Sequence, residues 1–191
     1  MISLLKRATF FVILLLSLLS VVPHAGFAQD AILTNITVSN TRDDLLLYLN
    51  LEGAFREEMK KAILSGVPST FSFFAKLNRT RNFWFDHAIA DIEVMHTIIY
   101  DNLKKEFTVK RSWKEDNPEV TKSFKEAQKW MTEINSLKLI PLDRLEKGEQ
   151  YQLRVKAEVS KKTLPFYLHY ILFFVSLWDF ETDWYAIDFI Y

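Results

Sequence analysis

The chain has 191 residues, 49% of them apolar, 25% charged and 15% aromatic. That length suits one well-cored domain, and an apolar content near half excludes a disordered chain. Lys plus Arg and Asp plus Glu balance at 24 each, so no global charge marks a nucleic-acid binder, and the absence of cysteine excludes disulfides, thiolate nucleophiles, Cys-based metal sites and a Cys-linked lipid anchor.

Residues 1–28 have the pattern of a secretory signal peptide. Lys6 and Arg7 form a positive start, and Phe10 to Val22 is an apolar run of about 13 residues, shorter than the roughly 20 needed to span a bilayer. Pro23 interrupts it, and Gly26 and Ala28 are small enough for cleavage after Ala28. The expectation is therefore an exported, periplasmic chain of residues 29–191 forming a single β-rich domain. Without Lys6 and Arg7 it holds 22 basic and 24 acidic residues, a net charge of −2.

From there the pattern alternates with period two, the signature of strands with one buried face. Ile32, Thr34, Ile36 and Val38 fall on one face of a first strand. Leu45, Leu47, Leu49 and Leu51 line a second, and Leu46 and Tyr48 on its other face predict a central position. Phe55, Met59, Ala62 and Ile63 have helical spacing, and Gly66 followed by Pro68 is a stop signal. Phe71, Phe73, Ala75 and Leu77 resume the alternation, and the polar Asn78–Asn82 leads to Trp84 and Asp86.

Ile92, Val94, His96 and Ile98, the turn-like Asp101-Asn102-Leu103, then Phe107, Val109 and Trp113 predict a hairpin. Asn117 before Pro118 predicts the start of a second helix with Val120, Phe124, Ala127, Met131 and Ile134 as its stripe. A short apolar piece, Leu139 to Leu145, precedes the Lys147-Gly148 turn. Tyr151, Leu153, Val155, Ala157 and Val159 form a further half-buried strand. Leu164 to Trp178 is about 15 residues without a formal charge, too short for a span and suited to the core or to a lipid or partner surface. The end, Phe180 to Tyr191, is acidic and aromatic and predicts an extended last strand. The architecture expected is mainly β (α+β): an antiparallel β-sandwich or curved sheet with two covering helices.

Catalytic signals are weak. No phosphate loop, dinucleotide fingerprint, nucleophile elbow or zincin motif occurs. His87 and His96 are an odd number apart and would face opposite sides of one strand. Asp91 and Glu93 share a face and would support hydrolase chemistry only in a cleft. The expectation is no enzyme, no cofactor and no metal. The candidate binding residues are basic and aromatic: Arg79, Arg81, Trp84, Lys110, Arg111 and Trp113. Arg79 and Arg81 share a parity, and Arg stacking on Trp84 with pairing to Asp86 is the structural alternative to an anion-recognition patch. Lys104, Lys105, Lys110, Arg111 and Lys114 flank Phe107 and Trp113 and would extend a basic face toward phospholipid headgroups or an acidic partner.

The order Ser65-Gly66-Val67-Pro68, Phe71/Phe73, Leu77-x-Arg79-x-Arg81 and Trp84-x-Asp86 resembles the family of exported bacterial proteins catalogued as domain of unknown function 4390. Ile99-Tyr100-Asp101, Phe107-x-Val109, Gly148-x-x-Tyr151-x-Leu153-x-Val155, Leu164-Pro165 and Asp183-Trp184 extend the resemblance over nearly the whole chain after the signal. It implies an envelope location and no known activity. Two function classes lead: a non-enzymatic module binding a membrane protein or envelope component, and a lipid or hydrophobic-ligand binder using residues 164–178.

Overall fold

The computed structural model describes residues 31–80, 87–114, 118–159 and 180–191. Residues 1–28, expected from the sequence to be a signal peptide, lie outside them, as do Arg81, Trp84, Asp86, Asn117 and the run 164–178. The described chain is mostly β: two antiparallel sheets and two short helices, as the alternating pattern predicts.

The smaller sheet has three strands in the order β1 (Ile32–Asn40), β2 (Asp44–Glu52) and β7 (Glu133–Pro141). The larger has six, ordered β6 (Glu119–Thr121), β5 (Glu106–Arg111), β4 (His87–Asp101), β3 (Ser69–Arg79), β8 (Gln150–Val159) and β9 (Tyr185–Ile190). Helix α1 (Glu57–Leu64) carries the chain from the small sheet to the large one, and α2 (Phe124–Thr132) carries it back. The inward faces of both sheets and both helices join one apolar cluster. Leu45, Leu47, Leu49 and Leu51 enter it from β2, the central strand of the small sheet, while Phe71, Phe73, Ala75 and Leu77 enter from β3. Tyr151, Leu153, Val155, Ala157 and Val159 do so from β8.

Helix α1 forms where predicted, burying Met59 and Ile63 and ending in Gly66 at φ +86°. A side chain at that φ would be strained, so glycine fits the cap. The Gly66 and Val67 N–H groups return to the Ile63 and Ala62 carbonyls. Phe55 sits just ahead of the helix and meets Phe71 and Phe124 edge-on, at 5.2 and 5.7 Å between ring centres.

Two expectations are corrected. In β1 the inward set is Ala31 and Leu33, then Ile36 and Val38, while Ile32 is exposed. The register shifts between Thr34 and Thr37, where Asn35 takes φ +51°. A bulge inserts one residue and inverts the parity of the strand beyond it, so a run of four on one face is broken. The second helix begins six residues after Pro118. Ser123 caps it, its Oγ accepting the Glu126 N–H at 3.3 Å, and Glu126 itself accepts from the Thr121 hydroxyl. The Ser123 N–H donates to Thr121 Oγ1 at 3.1 Å and not to Glu126, so the serine cap by itself sets the start. Val120 lies on edge strand β6 with its side chain outward, and Ile134 lies on β7.

Candidate functional site

The sequence-derived candidates do not converge. Arg79 ends β3, opposite His87 and Tyr151. Its guanidinium is held by Glu146 Oε1 at 2.5 Å and Glu149 Oε2 at 3.1 Å. Its carboxylate partners therefore come from the approach to β8. Arg81 and Trp84 lie outside the described residues, as does the Asp86 pairing expected for one of the two arginines. Lys110 is exposed on the outer face, opposite Thr97.

Arg111 points the other way. It shares the parity of Phe107 and Val109, is 7% exposed, and bonds Glu119 of β6. Its Nε is buried without a hydrogen-bond partner among the described residues. Trp113 lies beside it, half-buried, with its ring 5.9 Å from the Arg111 guanidinium carbon. The indole N–H donates to His96 Nε2 at 2.9 Å, and His96 Nδ1 donates to the Met131 carbonyl at 3.0 Å. Both ring nitrogens are thus satisfied in the neutral tautomer protonated at Nδ1. Burial pushes the His96 pKa down to about 4, helped by the charges of Arg111 and Lys114 and opposed by the backbone carbonyls of Met131 and Trp130. This trio ties β4 and β5 to α2.

The register fixes the distance between these groups. Arg111 pairs with His96, which pairs with Phe71, eight positions along β3 from Arg79. At about 3.3 Å per residue that is roughly 26 Å. Lys110 and Arg111, adjacent on one strand, face opposite sides of the sheet. Asp91 and Glu93 are exposed, Asp91 pairing with Lys76 at 3.2 Å and Glu93 accepting from the Ser72 hydroxyl at 3.3 Å. Among the described residues no group of three His, Asp or Glu side chains is placed to hold a metal ion.

The outer face of the large sheet carries a cluster that the sequence patterns do not announce. Trp184, 37% exposed, stands among Lys76 of β3 and Arg154 and Lys156 of β8, at 5.7, 5.2 and 5.8 Å from its ring centre. Its place is set just before it in the chain. The Thr182 N–H donates to the Ala157 carbonyl and the Thr182 hydroxyl accepts the Ala157 N–H, at 2.9 and 3.0 Å. Lys156 is gripped by Glu181 at 2.6 Å and Glu158 at 2.9 Å, which raise its pKa, chiefly through hydrogen bonds. Arg154 is exposed and has no ion pair among the described residues. The shared parity of Arg154 and Lys156 is visible on β8. Their meeting with Lys76 and Trp184 depends on the order β3-β8-β9.

A two-sheet antiparallel β domain with helical crossings, built around a packed core and carrying a basic cluster with one tryptophan on the outer face of its large sheet, is the class this geometry defines. The chain belongs to the family described as Domain of unknown function (DUF4390), whose model matches residues 28–188. No curated protein and no solved structure matches the chain.

Proposed function

We propose that this protein is a non-enzymatic interaction module of the bacterial envelope, exported to the periplasm, that receives a membrane protein or envelope component on the outer face of its large sheet. The observation that supports this reading is Trp184 with Arg154 beside it. The indole is partly exposed, the guanidinium beside it forms no ion pair among the described residues, and Trp and Arg are among the residue types enriched at interface hot spots. Lys76 and Lys156 already hold carboxylates, so Arg154 is the charge open to an acidic group of the partner.

A photo-crosslinker at the exposed Ala186 in intact cells tests this. The expected result is one dominant envelope or membrane protein, its capture reduced more than tenfold by Arg154→Glu, since truncating or reversing a hot-spot residue costs about 2 kcal/mol or more. Capture insensitive to Arg154→Glu and Trp184→Ala, in variants that keep the wild-type circular dichroism, overturns it. The second reading, lipid or hydrophobic-ligand binding through residues 164–178, is supported by the uncharged, aromatic composition of that run.

A further inference from the structure

We infer that the tip of the β4–β5 hairpin, with the adjoining C-terminus of α1, docks on an anionic lipid bilayer. This surface is separate from the Trp184 face, and its test does not depend on that reading.

At the tip, Leu103 is 94% exposed. Nothing in the fold requires an apolar side chain there, and a hairpin turn ordinarily carries polar residues. The turn is also firmly built. Asp101 Oδ1 accepts the N–H groups of Leu103 and Lys104 at 2.8 and 3.0 Å, and the Lys105 N–H donates to the Asp101 carbonyl at 2.8 Å. Lys105 takes the left-handed conformation, φ +58°. These bonds hold Leu103 outward between Asn102 and two lysines.

The end of α1 abuts the same turn. A Cβ on Gly66 would stand 3.1 Å from Asn102 Nδ2. Leu64, two residues earlier, is 39% exposed. Ile99 and Val120, also exposed, lie in one row through Thr108 on the outer face just below the tip. Apolar side chains thus project at and beside one end of the large sheet.

The surrounding charge selects the occupant. Lys61, Lys104 and Lys105 are exposed and form no ion pair among the described residues. Of the nearby carboxylates, Asp101 is turned onto its own backbone N–H groups, which hold its pKa low, and Glu106 faces Lys122 at 3.9 Å. Projecting leucines with exposed lysines beside them in the chain match an interface with hydrocarbon below and anionic headgroups above.

The absence of cysteine allows a clean test on the full chain. A Leu103→Cys variant labelled with an environment-sensitive nitrobenzoxadiazole fluorophore, mixed with vesicles of phosphatidylglycerol and phosphatidylcholine, is expected to shift to the blue and to be quenched by nitroxide-labelled lipid. The same label at Lys147→Cys, in the turn before β8, is expected to stay water-like. In pure phosphatidylcholine, or with Lys104→Gln/Lys105→Gln added, the dry fraction at position 103 is expected to fall. Each lysine near an anionic surface is worth about 1 kcal/mol, so losing two lowers the docking equilibrium roughly 30-fold. A label at 103 that stays water-like while the protein is vesicle-bound overturns the inference, because residues 164–178 or the N-terminus would then be making the contact. So does a label that dries only when an envelope protein is added.

Discussion

His96 and Arg111 show how two polar residues hold places in an apolar core. His96 is fully buried, and neutral imidazole is the form its two hydrogen bonds require. Its pKa falls from 6.5 in the unfolded chain to about 4 in the folded one. Above pH 6.5 the ring is neutral in both states and its contribution is intact. As pH falls from 6.5 toward 4 the unfolded chain takes up the proton first, and stability drops by up to about 3 kcal/mol. Urea denaturation midpoints should decline across that window, and His96→Phe should flatten the decline. Trp113→Phe should cost about 1–3 kcal/mol at pH 7.5 by leaving His96 Nε2 without a donor; an unchanged midpoint would contradict this. Glu119→Gln should cost about 3 kcal/mol in thermal unfolding, because it strands the buried Arg111 guanidinium.

The residue scale also shows where sequence patterns mislead. Arg111 shares its parity with Phe107 and Val109, and that alone assigns it to the inner face. Grouping it with Lys110 in a basic patch overlooks strand alternation. Trp113 is legible as an aromatic next to charge, but its hydrogen bond to His96 is not, because the two are 17 positions apart and meet only across the β4–β5 pairing.

At the scale of elements, local rules work wherever the chemistry is local. The Gly66 stop, the Asp101 turn and the alternating strands follow from positions within a few residues of one another. The second helix starts later than its first signal because two start signals compete, Asn117-Pro118 and Ser123-x-x-Glu126, and the stretch between them pairs with β5. Ser123→Ala should cost about 1 kcal/mol, read from the shift of the urea midpoint. The β1 bulge has no comparable local signature, since Asn35 inside an alternating run reads as one more outward residue.

For the whole molecule, the order of strands sets the order of protection. β3 lies in the middle of the large sheet, bonded on both sides along most of its length to β4 and β8. β6 and β9 are edges. Native-state hydrogen exchange should find the slowest amides at Phe71–Leu77 and much faster exchange in β9, because edge amides open without breaking the core. Slowest exchange in the small sheet would mean that the two sheets do not share one cooperative core.

Period and punctuation within the chain determined that this is a β-rich domain of two helices with a tight hairpin, and the spacing of its motifs marked the family. Those features are local, fixed by side-chain alternation and by backbone preferences at glycine, proline and caps. Tertiary structure decided which charges are buried, which aromatic stands open and which apolar residues share one end. Lys76, Arg154 and Trp184 are separated by up to 108 positions and become neighbours only because β8 pairs with β3 on one side and β9 on the other. Long-range pairing is chosen by the fit of the whole core, and no stretch of sequence carries that choice by itself.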